Sequence, residues 1–361
     1  MNKLRWGILG AANIAQKNWK AIFHSGNSVV TAVASRDLEK TRRFIRACQT
    51  EVPFERPPTA RAGYAELIAS PDVDAMYLPL PAKPRKEWLM RAAEAGKHVL
   101  CEKPCAVTAA DLREVLDACR QRRVQFMDGV MFMHSNRLPR LRGALDDAAN
   151  FGEIRRIVAN FSFSGSEDFF QTNIRANGNL EPLGCLGDLG WYCIRFALWA
   201  MNWQRPVRVT GCIHRESVCG AGVPPVPIEF SGELFFAGGV SAAFHCSFFA
   251  NEQWAIVTGT KACLHVADFV LPFTNQELDF ELRQNVFKPM GCEFKMESNV
   301  RHGAFGEHGG DSAVTQEANM FRNFANQVRA GQLNENWPAQ ALQTQEVVNA
   351  CLDAARVQLP A

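Results

Sequence analysis

The first fifteen residues constrain the chain more than any other stretch. From Lys3 to Gly10 apolar side chains alternate with others and then run together (Leu4, Trp6, Ile8, Leu9), the pattern of a buried strand. The run breaks at Gly10, and Gly10-Ala11-Ala12-Asn13-Ile14-Ala15 leads into a helix-like stretch from Asn13 to about Ser25. Strand, tight turn and helix with small residues at the turn make a G-x-A-x-x-A variant of the dinucleotide fingerprint. Little side-chain bulk there lets the backbone approach a pyrophosphate at a helix N-terminus. Gly10, Ala11, Ala12, Asn13 and Ile14 are therefore expected to contact a cofactor.

A second strand, Val29–Ala34, ends in Ser35-Arg36, the place where such sites read the ribose. A carboxylate there suits a free 2′-hydroxyl, whereas a hydroxyl with a guanidinium suits a 2′-phosphate, so Ser35 and Arg36 favour NADP(H), with NAD(H) possible. Asp37 reads as the N-cap of the next helix. The alternation continues with a helix around Tyr64–Ala69, a strand Ala75–Leu80, a helix Arg85–Ala95, a strand His98–Cys101, a helix Ala109–Arg122 and a strand Val124–Met127. This order predicts an α/β domain over 1–127 with a parallel, doubly wound sheet. Leu78, Pro79 and Leu80 fall at a strand's carboxyl end, where ligands bind in such sheets.

At 361 residues the chain is long enough for two domains. After Gly152 the segments Ile154–Phe163, Val207–His214, Ile228–Phe236, Val240–Phe249, Trp254–Thr260 and Ala262–Val266 read as strands, interrupted by a helix Leu186–Met201. Residues 128–361 are thus expected to form an α+β domain with a large, mostly antiparallel open sheet. Gly238-Gly239 signals a hairpin. Leu278–Asp311, polar and dotted with glycine, reads as a surface excursion, and the chain ends on amphipathic helices over Ser312–Ala330 and Ala339–Arg356.

The net charge of +2 comes from 39 basic and 37 acidic side chains with no basic run, which argues against nucleic acid as a partner. The opening apolar run is too short for a signal peptide or membrane span, so the expected compartment is the cytoplasm. Twelve cysteines without a C-x-x-C pair read as reduced thiols, and Cys101, Cys105, Cys185 and Cys193 as small buried hydrophobes. His302 and His308 lack a closed ligand set, so no metal site is expected.

Gly96-Lys97-His98-Val99-Leu100-Cys101-Glu102-Lys103-Pro104 closely resembles the GKHVLCEKP segment of the Gfo/Idh/MocA oxidoreductases. The helix Ala109–Arg122, Gly152-Glu153-Ile154-Arg155 and the stretch from Gln316-Glu317 also resemble family positions. The resemblance implies that Glu102-Lys103-Pro104 marks the site, with Glu102 and Lys103 beside the nicotinamide. Physically, Lys103 ends a strand at the carboxyl edge, where a cation can stabilise the developing alkoxide of a hydroxyl substrate.

Gly187-Asp188-Leu189-Gly190-Trp191-Tyr192 looks like the family's D-x-G-x-H/Y element in its tyrosine form. On an α-helix Asp188 and Tyr192 are i and i+4 and share a face. Tyrosine is a weak acid, with an ordinary pKa of ~10, but a nearby ammonium and an oxidised nicotinamide each favour its phenolate. Lys103, Tyr192 and Asp188 are the expected catalytic residues. Asn173-Ile174-Arg175 resembles the NIR segment of sugar-dehydrogenase-like and dihydrodiol-dehydrogenase-like members, which implies that Arg175 holds a substrate oxygen or a cofactor phosphate, with substrate binding the expected role, while Arg85 stands where many relatives have histidine. Hydride transfer to or from a hydroxyl or carbonyl carbon of a sugar, sugar derivative or cyclic diol is the implied activity. The alternatives are a redox-assisted glycosidase or lyase, or a non-catalytic cofactor-sensing regulator. The family's habit implies a homodimer or homotetramer through the C-terminal sheet.

Overall fold

The computed structural model describes residues 3–218, 222–274, 276–308 and 312–357. The chain divides into two compact units: Met1–His134, Gly178–Pro182 and Asp311–Glu346 form one, and Ser135–Asn177, Leu183–Gly310 and Val347–Ala361 the other.

In the first unit the strands are β1 (Leu4–Leu9), β2 (Ser28–Ser35), β3 (Thr59–Ala62), β4 (Ala75–Leu78), β5 (His98–Cys101) and β6 (Phe126–Asp128). They pair in parallel in the order β3-β2-β1-β4-β5-β6. The helices are α1 (Asn13–His24), α2 (Leu38–Glu51), α3 (Tyr64–Ile68), α4 (Ala82–Glu94) and α5 (Ala109–Gln121). β4 is buried at every residue, as befits a strand covered on both faces. The order reverses between β1 and β4, which opens a crevice beyond their carboxyl ends. Asp37 caps α2, its carboxylate accepting the N–H groups of Glu39 and Lys40 at 2.9 and 3.1 Å. The edge strand β3, Thr-Ala-Arg-Ala, has no apolar alternation to announce it.

The second unit contains α6 (Arg137–Asp146), β7 (Ile154–Ser162), α7 (Glu167–Thr172) and a π-helical turn, Leu186–Gly190, that runs into α8 (Trp191–Ala200). Then follow β8 (Arg208–Glu216), β9 (Pro227–Phe235), β10 (Ser241–Ser247), β11 (Glu252–Gly259), β12 (Cys263–Val266), β13 (Glu277–Met290) and β14 (Glu293–His308). The eight strands lie in the order β14-β13-β12-β11-β7-β10-β9-β8, antiparallel except where β7 meets β10. Gly238 and Gly239, at φ 76° and 79°, make the expected turn between β9 and β10. Ile157, Ala159 and Phe161 of β7 and Ala242, Phe244 and Cys246 of β10 are buried, while Arg156, Asn160, Ser241 and His245 between them are half-exposed. Both units thus have the expected fold class. Leu278 to His308 is no excursion, however, but most of a long hairpin with register from Glu277↔His308 to Met290↔Glu293; Asp311 lies outside the described residues. Between Arg283 and Val300 the side chains of this hairpin are half-exposed or exposed on both faces, so the backbone ladder forms there without a hydrophobic period to mark it.

Finally, α9 (Gln316–Ala330) and α10 (Asn336–Arg356) close the chain. α9 adds Phe321 and Phe324 to the first unit's core, with ring centroids 5.2 and 5.0 Å from that of Trp6. Among the described residues no helix is long and apolar enough to cross a membrane.

Candidate functional site

In the first unit Gly10 turns the chain at φ 132°, and a Cβ there would stand 3.2 Å from Leu80 Cδ2 and 3.7 Å from Pro79 Cγ. Glycine therefore lets the β1–α1 turn close on the Pro79-Leu80 loop after β4. Ala12 is the N-cap of α1; no side chain caps this end and no acidic residue occupies its first turn. The N–H groups of that turn, with Ala11, Ala12, Asn13 and Ile14 beside them, fit the pyrophosphate of a dinucleotide.

At the end of β2 the Ser35 hydroxyl is turned inward, donating to the Asp37 carbonyl at 2.7 Å and sharing a 2.8 Å hydrogen bond with Thr41. Arg36 is exposed. Burial pushes the phenol of Tyr64 up and the Arg36 charge opposes that shift, which puts the guanidinium within electrostatic range of the ring.

At the end of β5, Glu102 is held through its side chain. Tyr77 donates to Oε1 at 2.6 Å, and Asn18 Nδ2 donates to the Tyr77 hydroxyl at 2.5 Å and to Glu102 Oε1 at 3.3 Å. Burial, then the Glu102 charge, pushes the Tyr77 phenol well up, so it stays a donor. Glycine is also needed at Gly129, where a Cβ would meet the Glu102 carboxylate at 3.2 Å. The Glu102 N–H returns to the Leu78 carbonyl at 3.3 Å. Lys103 is half-buried, and its peptide bond to Pro104 is cis. Sequence reasoning missed Asn18 and Tyr77. The available signal was one hydroxyl in the otherwise apolar β4.

In the second unit Arg175 Nε meets Asp188 Oδ2 at 2.7 Å, with the arginine side chain 40% exposed and the aspartate 12%. Asn173 Oδ1 accepts the Arg175 N–H at 3.0 Å and so fixes the start of that turn. Asp188 sits in the π-helical turn and Tyr192 in α8, which corrects the simple i, i+4 relation of an α-helix: hydrogen bonds in such a turn reach i+5 and change the angular spacing. A Cβ on Gly190 would lie 2.9 Å from Leu186 Cδ1 and 3.2 Å from Cys246 Sγ, so glycine eases the close approach of the turn to β10. Tyr192 is 6% exposed and packs edge-on against Phe161 at 5.5 Å. Lys103 belongs to the first unit; Arg175, Asp188 and Tyr192 belong to the second.

Cys101, Cys105, Cys185 and Cys193 are free and buried, and desolvation raises the thiols of Cys105 and Cys193 well above the ordinary range. That suits packing and not nucleophilic attack.

Fold and site together define a dinucleotide-binding protein with a second, sheet-based unit. Residues 4–130 match the oxidoreductase family with an NAD-binding Rossmann fold, and residues 141–265 match the GFO/IDH/MocA C-terminal domain. The chain belongs to the Gfo/Idh/MocA oxidoreductase family. It is 35% identical over 195 residues to dTDP-3,4-didehydro-2,6-dideoxy-alpha-D-glucose 3-reductase of Saccharopolyspora spinosa, a match covering 54% of this chain and 55% of that one. The chain thus spans a little over half the length of that reductase. It is 30% identical over 274 residues to trans-1,2-dihydrobenzene-1,2-diol dehydrogenase of Mus musculus, covering 74% and 76%. The crystal structure of KijD10, a 3-ketoreductase from Actinomadura kijaniata in complex with NADP and TDP-benzene, shares the fold with a TM-score of 0.78 at 24% identity, covering 98% of each chain.

Proposed function

We propose that the chain is an NADP(H)-dependent oxidoreductase that exchanges hydride with a hydroxyl or carbonyl carbon of a sugar, sugar derivative or cyclic diol. The observation that carries this reading is the Glu102-Lys103 segment, held by Tyr77 and Asn18 at the carboxyl edge of a sheet whose β1–α1 turn fits a pyrophosphate. When bound, the nicotinamide supplies or accepts the hydride. Lys103 Nζ holds the reacting oxygen and stabilises its developing charge, and Tyr192 Oη exchanges its proton. Asp188 accepts from a substrate hydroxyl, and Arg175 keeps its carboxylate oriented. Arg36 meets the 2′-phosphate and sets the preference for NADP(H); Ser35, committed to Asp37 and Thr41, acts by shaping the strand end.

The half-exposed face of the eight-stranded sheet, with His245, Trp254 and Ile256, serves as the contact for a homodimer or homotetramer, which light scattering checks. The free thiols suit the reducing cytoplasm. The activity test incubates the full chain with D-xylose, D-glucose and trans-1,2-cyclohexanediol, and with the matching ketones in reverse, under each cofactor. Turnover is expected to be faster with NADP(H) than with NAD(H), and to fall by about 10²–10⁴-fold in Lys103→Met. Absence of turnover across the panel, or undiminished turnover by that variant, refutes the reading.

A further inference from the structure

Arg85 lies in the first turn of α4 and is 2% exposed, although a guanidinium is costly to bury. Each of its three nitrogens donates to backbone carbonyls. Nε donates to the Leu80 carbonyl at 2.8 Å and Nη2 donates to the same oxygen, while Nη1 donates to the Glu102 carbonyl at 2.5 Å and to the Pro104 carbonyl. One planar fork therefore gathers a carbonyl from the loop after β4 and two from the loop after β5. The last two flank Lys103 on either side. Burial opposes the charge, but the net shift in its basicity is upward, with Glu181 and Glu102 among the groups favouring the cation. Glu181 also accepts the Ala82 N–H at 3.0 Å, which fixes the start of the same helix.

We infer that Arg85 is the positioning residue for Lys103: it clamps the backbone before and after the lysine to the Leu80 loop and so sets where the ammonium is carried. This rests on the reading of Lys103 as the group that holds the reacting oxygen. Arg85 itself handles no proton. Lysine cannot replace it, because a single ammonium lacks the rigid fork that reaches both loops at once.

The test compares Arg85→Lys and Arg85→Gln with the wild-type full chain. Hydrogen exchange should quicken by about tenfold or more over 79–86 and 100–107 while β2 stays protected, because losing the clamp opens these loops and not the sheet. On whichever of D-xylose, D-glucose or trans-1,2-cyclohexanediol turns over fastest, kcat should fall by roughly 10- to 100-fold with KM little changed, the effect of a displaced reacting group. In a Lys103→Met background the Arg85 substitutions should cost nothing further. Unchanged exchange over 100–107, a uniform rise across the chain, or losses that multiply with that of Lys103→Met each overturn the inference. Full turnover by Lys103→Met alone removes the reading beneath it, and the clamp's role with it; a Lys103→Met of strongly reduced turnover with multiplying losses removes only the role of Arg85. Should either substitution prevent folding, Arg85→Ala supplemented with guanidinium ion at low millimolar concentration replaces it. Regained turnover supports the clamp, and regained fold without turnover overturns it.

Discussion

Around Glu102 the chain is held from a distance: Asn18, Tyr77 and Arg85 come from α1, β4 and α4, all three are buried, and none is exchangeable for a residue of similar size without leaving a polar group unmatched. Around Asp188 the hold includes a π-helical turn, a glycine packed against Cys246 and an ion pair with a half-exposed arginine thirteen positions earlier. The first arrangement fixes an atom's position at the expense of buried polar bonds. The second sets a largely buried carboxylate against an arginine that is 40% exposed, a pairing screened on the arginine's side and worth less in stability, though it can still orient a ligand.

The largest effect expected from this contrast is catalytic. Lys103→Met and Tyr192→Phe should each lower kcat by about 10²–10⁴-fold, the range for a placed acid or base. If both serve one proton transfer, the double variant should lose far less than the product of the single losses. A four-member kinetic cycle measures this, and losses that multiply fully would separate the two residues. Asp188→Asn should be impaired less than either.

Next in size is the cofactor contact: Arg36→Ala should weaken NADPH by about 1.5–3 kcal/mol, roughly 10- to 150-fold, with NADH little affected. Fluorescence titration of both cofactors decides it, and equal losses for the two would remove the 2′-phosphate from the explanation. Tyr77→Phe leaves the half-buried Glu102 carboxylate and the buried Asn18 amide each one partner short and should cost about 1–3 kcal/mol of stability, seen as a lower denaturant midpoint. The smallest effect belongs to the half-exposed Arg175. Arg175→Ala should cost less than about 1 kcal/mol in stability, yet raise KM for substrate. A large loss of stability there would show that the second segment is held as firmly as the first.

The pattern of strands and helices in the first unit was readable because buried parallel strands are nearly continuous apolar runs bounded by glycine and proline, as in Leu4–Gly10 and Ala75–Pro81. The second sheet was readable where one face is buried, in β7 and β10, and unreadable in the outer part of β13 and β14, where burial no longer distinguishes the faces. At the site, Glu102, Lys103, Asp188 and Tyr192 stood out by motif. Of the side chains that hold Glu102, Asn18 and Tyr77 did not, because they act through contacts 25 to 84 positions away; Arg85 stood out by its place but not by its role, because it acts through main-chain carbonyls. The pairing of Arg175 with Asp188 likewise has no sequence period. The π-helical turn brings Gly190 close to Cys246 of β10, a contact between distant parts of the chain.

The hairpin of β13 and β14 turns at Gly291-Cys292, and Cys292 is the one exposed sulfur among the described cysteines. Burial pushes the thiols of Cys48, Cys119 and Cys351 up to about 12, leaving them protonated at neutral pH. A maleimide dye added to the folded protein should therefore mark the hairpin tip ahead of the interior. That gives the molecule a built-in attachment point for fluorescence: emission from the tip reports whether anything comes to cover those two strands, and labelling of the interior sulfurs keeps a separate clock for unfolding.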